Sequence, residues 1–315
     1  MNRTSLLGAL LLALSLTAKG QTSALPDRDP VTFVSFNVWN YLEMNRRVEG
    51  VYTKNAPKPE QEIQPLIQLL SEIKPQILSI SEIGTAEDLK DLQTRLAEAG
   101  VELPHSHFHT SADRYRRLAI LSEFPIIDHD SQGDLTYQID NLELPFSRGI
   151  LDVTLRLQSD YLLRVLGVHL KSKREVKEAD QELMRLNEAR LVRQHVDAIL
   201  AEAPETNLLV AGDFNAYSNE EPIRTTHGGF GSANYLWAIP LADDRGERWT
   251  HHWKWADVYS RLDYAFSNRA LYPEIDFETS HIGRNPTSLQ GSDHRPLVVY
   301  IQPTNREIPS DIPKE

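Results

Sequence analysis

Six short apolar runs in this chain each carry, at or near one end, a polar side chain that a buried strand does not need in order to fold. The sharpest is Asn207-Leu208-Leu209-Val210, which passes straight into Ala211-Gly212-Asp213-Phe214-Asn215-Ala216. An apolar run of roughly four to eight residues that stops at glycine reads as a buried strand. Residues 31–36, dense in β-branched and aromatic side chains, read as a central strand that stops at Asn37. Residues 75–84 carry Glu82 and residues 162–170 carry His169. Asp263 lies inside the 260–267 run, and Asp293-His294 stand just before 297–301. Helical stripes separate several of these runs. Apolar residues at 63, 66, 67, 69, 70 and 73 predict a helix over 61–73, with Pro65 in its first turn. Residues 85–99 predict an acidic amphipathic helix. Residues 176–201 predict the longest helix, with Gln181, Arg185, Asn187 and Glu188 mostly off its apolar face. Strands and helices following one another are compatible with an α/β fold.

The 315 residues, 40% hydrophobic and 25% charged, allow one large α/β domain or two small ones. No repeat and no low-complexity linker divides them, so one domain is expected over 27–303, followed by a proline-containing tail over 304–315. Residues 1–20 carry Arg3, an apolar stretch from Leu6 to Leu16, and small residues at Ala18 and Gly20, the pattern of a cleaved secretory signal peptide. No other stretch is apolar enough to cross a bilayer. Export to the periplasm or medium is therefore expected. Cleavage would remove Arg3 and Lys19 from 33 basic side chains, leaving 31 against 45 acidic ones, a formal charge of −14. The chain has no cysteine, which excludes disulfides and thiolate metal sites. Its acidity argues against a broad nucleic-acid-coating surface, although a local basic cleft or a metal-bridged phosphate is compatible with it.

Several residues have both a plain structural reading and a chemical one. Asn37 can cap its strand, Asp213 and Asn215 can form a turn, and His169 can be a satisfied core histidine. Asp213 and Asn215 also sit at i and i+2, which share a face in extended chain. Glu82 is different: a glutamate within Ile-Ser-Glu-Ile is not a surface residue by pattern, and a buried carboxylate needs a partner such as a metal ion. The 114–117 cluster, Arg-Tyr-Arg-Arg, is either a solvated charge run or a phosphate contact at the entry to a core strand. His105, His107 and His109 read as loop or edge residues. The Gly228-Gly229-Phe230-Gly231 segment is too loose for a nucleotide-binding glycine motif. The aromatic-basic stretch 249–255 can stack a base or a sugar; packing against the core edge is the expectation.

Taken together and in this order, Asn37, Glu82, His169, the Gly-Asp-Phe-Asn of 212–215, Asp263 and the Ser-Asp-His-Arg-Pro of 292–296 resemble the endonuclease/exonuclease/phosphatase superfamily. That superfamily includes pancreatic-type deoxyribonuclease, apurinic endonucleases, bacterial sphingomyelinases and inositol polyphosphate phosphatases. The likeness runs from about Val31 to Gln302. It implies a four-layer sandwich, two packed mixed β-sheets flanked by helices. It implies a divalent metal at Glu82 with Asn37 and Asp293, favouring Mg²⁺, with Mn²⁺ as a substitute and a second Ca²⁺ conceivable. By the same resemblance Asp263 orients His294, and either His294 or Asp213 takes the proton of the attacking water. Asn215 and His169 would donate to the phosphate, which His169 does in place of the tyrosine common in apurinic endonucleases. Arg148 matches a family arginine before the fourth strand; with Arg114 and Arg117 it is assigned to phosphate contact. Where the family commonly has Gln-Glu, this chain has Ser81-Glu82.

The implied activity is metal-dependent hydrolysis of phosphate esters, first of nucleic acid, alternatively of small-molecule, sugar or lipid phosphates. No exposed hydrophobic hairpin of the kind a sphingomyelinase would need stands out. A catalytically silent binding module is disfavoured, because binding alone needs no base with its own orienting carboxylate. No obligate protein partner is expected.

Overall fold

The computed structural model describes residues 29–305. The expected leader, residues 1–20, and the tail from 306 onward lie outside the described residues.

Two six-stranded mixed sheets pack face to face. The first runs in the order Ile275–Ile282, Leu297–Ile301, Val31–Tyr41, Ile77–Ile83, Arg117–Ser122, His105–His109. The second runs Trp237–Ala238, Asp263–Ser267, Leu208–Asp213, Tyr161–His169, Ile150–Gln158, Ile126–His129. Strands alternate their side chains, and here both faces are covered, which explains the unbroken apolar runs in the sequence. Phe33, Ile77, Ile120, Val153, Leu209 and Val299 fill the core between the sheets. Their neighbours Val34, Leu78 and Ile80 point outward onto the Glu60–Ile73 and Ala86–Glu98 helices, through Leu66, Leu70, Leu92 and Leu96. On the other side Leu166, Leu208 and Val210 meet Val192 and Val196 of the Gln181–Glu202 helix. Each fully buried leucine stabilises such a layer by roughly 1.5–3 kcal/mol. The expected four-layer α/β sandwich is the observed fold.

Each sheet contains one central parallel pair joined by a crossover helix. Val31–Tyr41 lies parallel to Ile77–Ile83 through the Glu60–Ile73 helix. Tyr161–His169 lies parallel to Leu208–Asp213 through the Gln181–Glu202 helix. All other pairings in the two sheets are antiparallel. Ligand sites of parallel sheets form at the carboxyl ends of strands, and those ends carry Asn37, Glu82, His169 and Asp213. Gly212 makes the last step possible: a Cβ there would stand 1.9 Å from the Val168 carbonyl oxygen.

The structure differs from the sequence expectation at element ends. The helix opens at Glu60, one residue earlier than expected, which makes Pro65 its sixth residue, just past the first turn. The longest helix starts at Gln181, where Asp180 caps the N–H groups of Glu182 and Leu183. Between the first strand and its crossover helix lies a hairpin, Met44–Val48 with Val51–Ala56, which no sequence pattern announced. His105–His109 forms an edge strand, as one of the two readings had it.

Candidate active site

The carboxyl ends of the two parallel pairs open into one cavity of about 420 Å³. Glu82, His169, Asp213, Asn215, Asp293, His294 and Arg148 all line it. His169 and Asp213 are register partners in adjacent strands, as are Asp213 and Asp263 on the other side. Strand pairing alone therefore assembles three of the expected residues.

His294 is the best-fixed group. Its Nδ1 lies 2.8 Å from Asp263 Oδ2, which also accepts from the Thr250 hydroxyl at 2.6 Å. Its Nε2 lies 3.8 Å from Asp213 Oδ2 and 3.5 Å from the Asn37 amide. Its main-chain N–H donates to Ser292 Oγ, whose own hydroxyl donates to the Asn37 carbonyl. Burial disfavours a charged ring, but Asp263 and Asp213 overcome it and hold the imidazole pKa well above its ordinary value. Asp213 accepts from Asn37 Nδ2 at 3.2 Å and from the Asn215 main chain at 2.9 Å. Burial, reinforced by Asp263, pushes its carboxyl up to about 7. His169 behaves oppositely to His294. Burial first, then Arg148 and His294, hold its pKa well below the usual value, so it is a neutral ring 3.5 Å from Asp213.

Asp213 and Asn215 do converge, but not through the strand pleat. The strand ends at Asp213, and Asn215 adopts a left-handed φ of 49°. Its amide donates to the Leu170 carbonyl at 3.1 Å, and an amide has a second hydrogen to offer. Trp39, Asn40 and Glu82 are left-handed as well, at φ 49°, 56° and 67°. Non-glycine residues held this way cost of order 1 kcal/mol each and cluster where geometry serves function.

The oxygen set around Glu82 fits a hard divalent cation. Glu82 Oε2 accepts from the Asn40 N–H at 2.9 Å, while Oε1 lies 3.8 Å from Arg116 and 4.0 Å from His169. Asp293 Oδ1 and Asn40 Oδ1 are buried without a hydrogen-bond partner, the condition a cation would relieve. Burial, with Glu82 adding to it, raises the Asp293 carboxyl to about 6. Asn37 spends its side-chain oxygen on the Trp39 N–H and its side-chain NH2 on Asp213, so both ends of that amide are already engaged. A second group, Asp213, Asp263 and His294, also has ligand atoms close together. There the Asp263–His294 hydrogen bond occupies the inner face, which favours proton chemistry over metal binding.

The basic cluster divides three ways. Arg116 lines the cavity; Arg117 turns away to the Gly84 carbonyl and the Phe108 ring; Arg114 is exposed outside it. Arg148 lines the cavity while paired to Asp113 at 3.1 Å. Sequence reasoning missed Asn40, Arg174 and His251, which also line it. Arg174 ends a Lys-Ser-Lys-Arg run directly after the His169 strand, a signal that was there to be read. The 249–255 stretch only partly packs: Arg295 stacks on Trp249 at 4.1 Å, and His251 lies tilted against His294 with ring centroids 4.7 Å apart. Trp253 and Trp255 are 54% and 82% exposed on the His251–Trp253/Val258–Ser260 hairpin, so an exposed aromatic hairpin does exist.

A sandwich of this kind, with an oxygen-rich cation site beside an Asp–His pair, defines a metal-dependent phosphoric ester hydrolase. Residues 34–294 match the Endonuclease/Exonuclease/phosphatase family, and the chain belongs to it. No curated protein matches the sequence significantly. Among solved structures, the human Nocturnin catalytic domain with a bound sulfate anion is 18% identical with a TM-score of 0.60, over 86% of this chain and 93% of that one. Truncated TDP2 of Caenorhabditis elegans is 15% identical with a TM-score of 0.57, over 87% and 97%. A Staphylococcus aureus beta toxin is 14% identical with a TM-score of 0.59, over 86% and 99%. At these identities the likeness is one of fold.

Proposed function

We propose that this chain hydrolyses phosphodiesters, nucleic acid or nucleotide derivatives foremost, by in-line attack of water. The observation that carries the reading is a single ring between two carboxylates: His294, 2.8 Å from Asp263 and 3.8 Å from Asp213, inside the cavity that also holds Glu82 and Asp293. That geometry keeps His294 as an imidazolium, which donates to a phosphoryl oxygen where negative charge builds. Asp213 then takes the proton from the water as its oxygen bonds to phosphorus and the ester oxygen departs. Asp263 and Thr250 hold the His294 ring in orientation. Neutral His169 and the second hydrogen of the Asn215 amide donate to the remaining phosphoryl oxygens, and Arg116 and Arg148 add positive potential. A divalent ion, Mg²⁺ by its oxygen ligands, would be held by Glu82 and Asp293 with Asn40 and supply Lewis-acid stabilisation of the same charge. The sequence pattern of residues 1–20 supports export, which fractionation of expressing cells tests.

A second reading, cleavage of a lipid phosphoester, is favoured by one observation: the exposed Trp253 and Trp255 on the hairpin beside the site. Plasmid DNA, bis-p-nitrophenyl phosphate and sphingomyelin vesicles, each with Mg²⁺ and with EDTA, separate the two. Metal-dependent cleavage of the first two supports the proposal. Cleavage of the vesicles alone replaces it, and cleavage of none overturns both.

A further inference from the structure

Beside the catalytic cavity lies a second one of about 620 Å³, and the two share Ser172, Arg174, Asn215 and His251 in their walls. The far wall of the second cavity is mostly apolar, built from Tyr217, Trp253, Val258 and Leu262. Tyr217 is fixed in place: its N–H donates to Glu220, and Lys173, itself 2.7 Å from both Glu220 oxygens, covers its ring at 4.0 Å. Tyr217 and Trp253 remain 41% and 54% exposed, so two aromatic side chains, the first with Lys173 over one part of its ring, border the void with surface still open to it. At the junction stands Arg174. Arg148 is paired to Asp113, and Arg116 lies within salt-bridge distance of Glu82; among the described residues no carboxylate lies within that distance of Arg174.

We propose that this side cavity receives a planar ring carried on the non-leaving ester group of the scissile phosphate, as in a nucleoside ester, with Arg174 holding the phosphate that joins ring to reaction centre. The inference rests on the phosphodiesterase reading above. Its logic is continuity: a phosphate among His169, Asn215 and Arg174 has one substituent leaving and one remaining, and the shared wall opens one of them onto Tyr217 and Trp253. A base stacked on such aromatics contributes about 1–3 kcal/mol, whichever base it is. A free guanidinium at the junction adds a charge-assisted contact to the phosphate that a methyl ester shares. Ring recognition and phosphate recognition therefore fall to different residues and can be separated by mutation.

The test compares two substrates with the same leaving group, thymidine 5′-(p-nitrophenyl phosphate) and methyl p-nitrophenyl phosphate, on the full protein with Mg²⁺. The nucleoside ester should be turned over with kcat/KM at least about 10-fold higher. Tyr217→Ala and Trp253→Ala should each remove most of that preference by raising KM for the nucleoside ester, and leave the methyl ester as it was. Arg174→Ala should raise KM for both esters alike. Equal kcat/KM for the two esters in the unmutated protein, or a preference that survives both aromatic substitutions, overturns the proposal. Turnover of neither ester would instead count against the diesterase reading. The cavity is then read by calorimetry in EDTA. Thymidine 5′-phosphate should bind about 10-fold more tightly than methyl phosphate, and lose that margin in Trp253→Ala; equal affinities reject the cavity assignment on their own.

Discussion

The two parallel crossovers that meet at the site are built alike and secured differently. In the first, the Glu60–Ile73 helix buries only apolar side chains: Ile63, Pro65, Leu66, Ile67, Leu69 and Leu70. The residues it helps deliver are oriented by the main chain near them. Asn40 N–H holds Glu82, Trp39 N–H holds Asn37, and buried Lys58 donates to the Trp39 carbonyl at 2.9 Å. In the second, the Gln181–Glu202 helix buries Arg185, Glu188 and Arg193 among its apolar residues. Arg185 donates to the Lys171 carbonyl, and Glu188 accepts from the N–H groups of Lys171 and Ser147. Lys171 follows the His169 strand and Ser147 precedes Arg148, so one carboxylate ties together the two segments bearing site residues. Apolar packing in the first half carries stability with little bearing on site geometry. In the second half the same side chains set both.

The largest expected effects test the division of labour between the halves. Asp213→Asn, in the second half, should lower kcat by about 10³-fold, and added Mg²⁺ should not restore it. Glu82→Gln, in the first, should weaken metal binding by about 10–100-fold, so that activity returns in part as Mg²⁺ is raised. If both variants respond to metal in the same way, the two halves do not hold separate functions. The pH profile sharpens this. With its carboxyl pushed up to about 7, Asp213 is protonated and useless as a base below that value. The kcat/KM of the unmutated protein should therefore rise with pH toward a plateau above about 7, and the residual activity of Asp213→Asn should lack that limb.

Smaller effects should separate stability from geometry. Leu66→Ala should cost about 2–5 kcal/mol in urea unfolding while leaving kcat and KM of the folded protein unchanged. Glu188→Ala should cost about 2–4 kcal/mol by stranding two buried N–H groups, and should also raise KM. Glu188 gives a pH signature too. Burial raises its carboxyl to about 7 from an ordinary value of 4.5. Between those pH values the folded chain keeps a proton that the unfolded chain has released, so this group lowers stability as pH rises. Glu188→Gln should flatten that part of the Tm-versus-pH curve, whereas Leu66→Ala should shift the curve without flattening it. A Glu188→Gln curve parallel to the unmutated one would remove Glu188 from the comparison.

The same contrast decides what was legible in the sequence. The first helix announced itself, because an apolar stripe is a periodic signal and its buried face is nothing else. The second crossover announced its helix but not its buried polar side, since Arg185 and Glu188 look like solvent-facing residues to any hydrophobic period, and only the chain around Lys171 and Ser147 makes them interior. The strand-end residues were legible because a buried carboxylate or imidazole interrupts an apolar run, as at Glu82, His169 and Asp213. Asn40 was not, for a left-handed irregularity near the end of its strand turns it to the site and no local pattern encodes that; Arg174 was signalled only as one member of a basic run, with nothing to say which member faces the cavity. Arg116 was hidden differently: a four-residue cluster shows that a basic face exists but not which of its members a strand entry will turn inward.

That cluster supplies the smallest test. Arg116 stands in the cavity near Glu82, Arg117 serves the Gly84 carbonyl, and Arg114 faces solvent. Arg116→Ala should raise KM for a diester by roughly 3- to 10-fold, the size of one partly exposed charge-assisted contact. Arg117→Ala should leave KM alone and cost about 1 kcal/mol of stability, because its guanidinium holds the turn behind Glu82 rather than the phosphate. Arg114→Ala should change neither. A KM effect at Arg114 equal to that at Arg116 would mean that the cluster acts through its summed field and not through one placed side chain, and that effect should then vanish by about 0.5 M salt, where screening erases long-range attraction.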